Sequence, residues 1–264
     1  MNPVQVRTVH TARMDMDYVI FGEGRKSFVI LPGISIKPIT LSAAALEGGF
    51  RRFTEEYTVY VFDRRTGLAD GCTVEEMADD TADAMAALGI SGAYVFGASQ
   101  GGMMALVLAA RYPALVNRVI AASASAHLEG EYAALMAEWE RLARAGSAQA
   151  LNRSMFGNLY TRAYLDKFRD AIAAVENDGT AGELARFAAM AHACLTFDFR
   201  EELANVRCPV LVPCAEGDTV LGADASRLIA ARTGGTLVVY PDYGHAVYDE
   251  APDFLDRIRE FFRG

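Results

Sequence analysis

The chain has 264 residues, is 52% hydrophobic and 22% charged, and carries a net charge of −9 from 25 Lys and Arg against 34 Asp and Glu. That length supports one sizeable core with room for an insertion. The acidic balance argues against nucleic-acid backbones and anionic membrane surfaces as partners, both of which need clustered Lys and Arg.

The first 15 residues show no basic stretch followed by an apolar one, and no apolar run approaches the roughly 20 residues of a bilayer span. A cytoplasmic protein is therefore expected, with no membrane partner. Cys72, Cys194, Cys208 and Cys214 lack C-x-x-C spacing and are read as reduced, structural thiols. Asn152-Arg153-Ser154 fits a glycosylation acceptor, but without a secretory signal it is read as chance.

Residues 4–12 and 14–22 alternate as strands. Gly22-Glu23-Gly24 lies between two strand-like runs, so it is expected to be a hairpin turn and not a dinucleotide loop. Short apolar runs at 27–33 and 57–63 read as strands buried on both faces. The segment 73–89 opens with a capping-box pair, Thr73 and Glu76, and places Val74, Met77, Ala78, Thr81, Met85 and Leu88 at helical spacing before Gly89. A strand at 92–99, a helix from 100 to Pro113 and a strand at 116–125 follow. The alternation predicts a parallel sheet covered on both faces.

That rhythm breaks from about 128 to 196, where 129–146, 148–177 and 181–197 carry helical patterns with no strand between them. An all-helical insertion is expected there, dividing a core of 1–127 and 197–264 from a cap of 128–196. Strand and helix then alternate again: strands at 208–218 and 236–245, helices at 223–235 and 251–264.

Gly97-Ala98-Ser99-Gln100-Gly101 lies where a buried strand gives way to a helix. A serine attacks a carbonyl only if a base takes its proton and donors hold the oxyanion. In this context Gly97 and Gly101 allow a sharp turn that presents Ser99 as a nucleophile, and the N–H of Gln100 stands at a helix N-terminus as an oxyanion donor. Of the four histidines, only His245 follows a late parallel strand and can serve as the base. His10 lies in an early strand, His127 at the start of the insert and His192 on an apolar helical face.

Asp218, at the end of the strand 208–218, is the candidate orienting carboxylate. Glu216 is the second choice, and Asp242 and Asp249 are read as turn or capping residues. After the strand 27–33, Gly33 permits a turn and the N–H of Ile34 is the second oxyanion donor. Asp63 and Arg64 are read as loop anchors. Met136, Trp139, Met155, Phe156, Tyr160, Phe187 and Met190 supply apolar groups in the insert, and most are expected to pack its helices onto the core. No metal or nucleotide motif occurs, so no cofactor and no metal are expected.

With Gly97-Ala98-Ser99-Gln100-Gly101-Gly102 as a nucleophile elbow, and Asp218 and His245 following in the order Ser, Asp, His, the chain resembles the α/β-hydrolase superfamily over essentially its whole length. The resemblance implies an eight-stranded, mostly parallel, doubly wound sheet with a helical cap after the sixth core strand. It implies a cofactor-free serine hydrolase that cleaves a small ester, thioester or related acyl substrate. Carbon–carbon bond hydrolysis, acyl transfer and non-catalytic ligand reception on the same fold remain as alternatives, and a homo-oligomer stays open. Pro32-Gly33 stands where many members have His-Gly. Asp63-Arg64-Arg65-Thr66-Gly67 departs from the usual Asp-x-Arg-Gly-x-Gly. Ser99 in place of Asp at the elbow disfavours dehalogenase and epoxide-hydrolase chemistry.

Overall fold

A computed structural model describes residues 4–264. Eight strands, β1 (Gln5–His10), β2 (Asp15–Phe21), β3 (Lys26–Leu31), β4 (Tyr57–Arg65), β5 (Ala93–Ala98), β6 (Val116–Ala122), β7 (Val210–Ala215) and β8 (Thr236–Tyr240), form one sheet in the order β1-β2-β4-β3-β5-β6-β7-β8. The pairs from β4/β3 to β7/β8 are parallel, while β1/β2 and β2/β4 are antiparallel.

Residues alternate sides along each strand. Val29, Leu31, Val95, Val119 and Val212 join one buried cluster, whereas Phe28, Ile30, Phe96, Ile120 and Leu211 join the other. The first side is covered by α2 (Val74–Ala87), α3 (Gln100–Arg111) and α9 (Ala223–Thr233). The second is covered by α1 (Ala43–Phe50) and α11 (Phe254–Arg263), where Phe28, Phe53 and Phe262 meet in edge-to-face and tilted ring contacts with Tyr57. Such contacts add specificity beyond area burial.

Thr73 and Glu76 make the expected reciprocal cap of α2. Between β6 and β7 the chain runs through α4 (Gly130–Arg144), α5 (Ala148–Leu159), α6 (Arg162–Lys167), α7 (Arg169–Val175) and α8 (Ala181–Thr196) with no strand among them. The 148–177 pattern is therefore three helices. The chain is extended at Tyr160, and Thr161 caps α6 by accepting from the N–H of Tyr164. A short helix, α10 (Val247–Glu250), follows His245.

Two sequence expectations need correction. Gly22-Glu23-Gly24 is not a hairpin turn: β2 pairs with β4 and β1, never with β3, and the true hairpin joins β1 to β2. The two glycines serve another purpose, a close crossing. A Cβ on Gly24 would lie 2.0 Å from the backbone of Glu56 and Tyr57, and Gly22 has φ +85°. Residues 39–53, to which periodicity assigns no element, hold α1 between two short 3₁₀ turns. α1 buries no residue fully, rests on the second cluster only through Ala43, Leu46 and Phe50, and contains Gly48 and Gly49, so its stripe is too short to announce it.

Candidate active site

The turn from β5 into α3 is sharp. Ser99 adopts φ 54° and ψ −120°, a conformation that a non-glycine residue rarely holds. Its N–H donates to Ala122 O at 2.9 Å, and its carbonyl accepts from Gly102 N at 2.8 Å. Three glycines make this fit possible. A Cβ on Gly97 would meet Gly101 O at 2.1 Å, one on Gly101 would meet Leu31 O at 2.0 Å, and one on Gly102 would meet Ala124 Cβ at 2.7 Å. The first turn of α3 thus lies directly against the end of β3, and Gly33 sits beside Ser99, where a Cβ would be 3.2 Å from the serine Cβ.

His245 is fully buried. Its Nδ1 lies 2.8 Å from Asp218 Oδ2 and 3.0 Å from Oδ1, which requires the Nδ1–H tautomer as donor when Asp218 is ionised. Asp218 also accepts from the N–H groups of Val220 at 2.8 Å and Leu221 at 3.0 Å. Burial works against its charge, but the charge and hydrogen bond of His245 and those two N–H groups outweigh it, holding the carboxyl below its ordinary range. Nε2 of His245 is buried without a hydrogen-bond partner among the described residues. Ser123, another positive-φ residue at the end of β6, donates its hydroxyl to the carbonyl of His245 at 2.7 Å and fixes the backbone of that loop.

The structure also gives the side chain of Gln100 a task. Its Oε1 accepts from Arg64 Nη2 at 2.9 Å, and its Nε2 donates to Met190 O at 2.8 Å on α8. Arg64 is buried and donates its Nη2 to Pro32 O at 2.8 Å as well. One guanidinium therefore links the residue that precedes Gly33-Ile34 to the residue that follows Ser99. Burial, with the charge of Arg186, pushes Arg64 down to about 10, so it stays charged at neutral pH. Asp63 accepts from Ile39 N at 3.0 Å, from Arg64 N at 2.8 Å and from Arg186. Asp63 and Arg64 thus do anchor the loops around Ser99.

Ser99, His245 and Ile34 line one cavity of about 660 Å³, a volume suited to a small organic molecule. The core supplies Pro32, Gly33 and Phe96, and the insert supplies Trp139, Met155, Phe156 and Tyr160. Of the seven apolar insert residues singled out by sequence, Met136, Phe187 and Met190 are packed into the core cluster and do not line the cavity.

The remaining candidates lie elsewhere. His10 is on β1, 2.7 Å from its cross-strand partner Asp15. His127 pairs its backbone with that of Asp198 and sets its Nε2 3.6 Å from Glu129, and Nδ1 of His192 is 3.3 Å from Glu140. Glu216 binds Arg227 at 2.6 Å. Asn152 also lines the cavity, but it is buried and bonded to the carbonyls of Glu176 and Asp178, so it is no glycan acceptor. All four cysteines are free thiols. No helix among the described residues is long and apolar enough to cross a membrane.

Sequence reasoning missed one residue outright. Asp249 lines the cavity four positions after His245 and accepts from the Tyr160 hydroxyl at 3.0 Å. It does stand in the first turn of α10, as a capping residue would, but its carboxyl borders the cavity.

Comparison with known proteins agrees with this architecture. The family described as the α/β hydrolase fold matches residues 32–252. RutD of Escherichia coli, a candidate carbamate hydrolase, is 31% identical over 217 residues, spanning 77% of this chain and 80% of its own. Among solved structures, the enol-lactonase of Burkholderia xenovorans LB400 superposes with a TM-score of 0.85 at 19% identity, covering 98% of this chain and all of that one. A thermophilic esterase from Thermogutta terrifontis superposes with a TM-score of 0.80 at 20% identity, covering 98% of each chain. The chain is an α/β hydrolase and belongs to the family of the α/β hydrolase fold.

Proposed function

We propose that the protein is a serine hydrolase of small carboxylic esters or related acyl compounds, working through Ser99, His245 and Asp218 without a cofactor. The observation that carries this reading is the buried His245 imidazole. It is tied to Asp218 through Nδ1, its Nε2 is left unpaired, and it shares one cavity with Ser99. In that arrangement Nε2 takes the proton of Ser99 as the hydroxyl oxygen attacks the substrate carbonyl. The N–H groups of Ile34 and Gln100 receive the oxyanion. His245 then returns the proton to the leaving group, and the acyl-enzyme is cleared by a water that His245 activates in turn. Asp218 holds the imidazole in one tautomer and stabilises its charged form.

The hydrolytic names of RutD, the enol-lactonase and the esterase support acyl cleavage as the reaction class. The cap role of 128–196 belongs to the same proposal: the insert supplies the cavity wall that selects the acyl group.

A fluorophosphonate probe tests the reading. Intact-mass and peptide analysis should find a single adduct on Ser99, none on the Ser99→Ala protein, and parallel loss of 4-nitrophenyl acetate hydrolysis. An unlabelled Ser99 in folded wild-type protein would overturn the assignment. A panel pairing esters with a vinylogous diketone separates acyl from carbon–carbon cleavage.

A further inference from the structure

The charged groups around the cavity are unevenly matched. Three acidic or basic side chains besides His245 line it: Lys37, Asp178 and Asp249. Lys37 is already paired, its Nζ 3.0 Å from Glu183 Oε2. Asp249 has no ion-pair partner among the described residues. The groups that interact with it electrostatically are the Tyr160 hydroxyl, its neighbours Glu250 and Tyr248, Tyr164 and His245. One of its oxygens is bonded to Tyr160, and Oδ1 has no hydrogen bond among the described residues.

The surroundings are aromatic. Phe156, Tyr160 and Tyr248 also line the cavity, and Tyr248 lies 6.4 Å, ring to ring, from the imidazole of His245. A carboxylate beside aromatic faces, in a cleft of reduced polarity, attracts an alkylammonium through both Coulomb and cation–π terms and repels a second carboxylate. The chain as a whole, at −9, adds to the same field.

We propose that Asp249 is a specificity-determining residue, which with Phe156, Tyr160 and Tyr248 forms a subsite for a cationic alkylammonium group on the substrate and turns away substrates that carry a carboxylate. The subsite rests on the reading of this cavity as the place of acyl cleavage, with its reacting centre at Ser99 and His245. Asp249 stands on the helix that immediately follows His245 and lines the same cavity as Ser99, so a group it holds is bound in the cavity that holds the reacting carbonyl and discriminates at the step of productive binding. Asp249 keeps an exposed face at the cavity rim, yet the protein around its carboxyl displaces enough water to raise it to about 6, which leaves it mainly ionised at pH 7.5 and ready to accept a cation.

Esters of matched shape and different charge provide the test. On the acyl side, the 4-nitrophenyl ester of 4-(trimethylammonio)butanoate is set against its neutral isostere, the 5,5-dimethylhexanoate ester, and against mono-4-nitrophenyl adipate. On the leaving-group side, acetylcholine is set against 3,3-dimethylbutyl acetate. The expected result is a preference for the cation over its isostere of about tenfold in kcat/KM in at least one pair, with the adipate slowest. In Asp249→Asn, which keeps an acceptor for Tyr160, that ratio should collapse toward one.

A wild type indifferent to charge in both pairs, or a preference that survives Asp249→Asn, overturns the subsite. Binding of 4-(trimethylammonio)butanamide against 5,5-dimethylhexanamide to the Ser99→Ala protein, by calorimetry, reads the same preference without turnover. If every ester resists hydrolysis while that binding preference holds and depends on Asp249, acyl hydrolysis fails and the cation subsite stands.

Discussion

The floor and the roof of the cavity are built on different terms. The floor is the carboxyl edge of the sheet: Pro32-Gly33-Ile34, Ser99 and His245, each set by backbone that has almost no freedom. Gly97, Gly101 and Gly102 occupy positions where a single methyl group would overlap neighbouring atoms, and Arg64 ties the elbow to the turn after β3 through Gln100 and Pro32. The roof is α5 to α7. α6 and α7 bury no residue, and the rings of Phe156, Tyr160, Tyr164 and Phe168 follow one another along this segment at 4.4–6.3 Å. The difference teaches that chemistry needs positions held to fractions of an ångström, whereas selection needs a surface that can change without disturbing them.

Substitutions on each side should expose that asymmetry. The largest effect is expected at Ser99, where Ala should lower kcat/KM for 4-nitrophenyl acetate by about four orders of magnitude or more while thermal melting hardly moves. Gly101→Ala should strike the fold itself. Its methyl must displace the carbonyl of Leu31, at a cost of about 3 kcal/mol, read as a fall in Tm of roughly 10 °C. On the proposed mechanism, Arg64→Met should lower kcat by about a hundredfold with a smaller change in KM, because the turn after β3 and the residue after Ser99 lose their common tie. Arg64→Lys should recover part of that loss, and a Met variant with full kcat would show that the elbow holds without it.

At the cavity rim, where Asp249 on α10 meets Tyr160, and on the roof the effects shrink. Folded Asp249, exposed on one side, binds its proton more tightly than the unfolded chain does, about 6 against an ordinary 3.8, because the protein packed around its carboxyl disfavours the charge. The ionised form therefore costs stability above about pH 6, and the cost disappears as pH falls toward 4. Asp249→Asn should gain about 1 kcal/mol in urea melts at pH 8, after allowance for solvent reaching the carboxyl, and nothing at pH 4. A gain that is flat with pH would refute the burial argument. Gly157→Ala in α5, where a Cβ meets nothing within 4 Å, should stabilise by roughly 0.5–1 kcal/mol.

The floor was far more legible in the sequence than the roof. Strand ends, a Gly-x-Ser-x-Gly turn and a late histidine are local patterns, so Ser99, Asp218 and His245 could be named from them, and the structure brings Asp218 and His245 into contact. Pairing is not local: β2 chooses β4 across 35 residues of intervening chain, which no turn signal at Gly22–Gly24 reveals. The break at Tyr160 was masked because 148–177 keeps a helical composition through it, although Thr161 is a capping residue type. The closeness of Asp249 to His245 in sequence suggests a turn or capping residue, whereas the one-turn helix α10 carries it to the cavity. The partners of the Gln100 side chain come from β4 and α8, 36 and 90 residues away, and sequence offers no sign of them.

The bond from Gln100 Nε2 to Met190 O divides the insert for anyone who would re-engineer it. α8 buries eight residues and completes the coordination of the elbow, so it behaves as a pillar of the catalytic machine and cannot be exchanged freely. α5 also buries Leu151, Asn152 and Met155, but the stretch from Tyr160 to Asp178, whose helices α6 and α7 bury no residue, is moored by a few outer bonds, such as those of Tyr160 to Asp249 and Thr161 to Glu250. That stretch is the natural cassette: a foreign segment grafted between α5 and α8 would bring a new appetite to an unaltered engine.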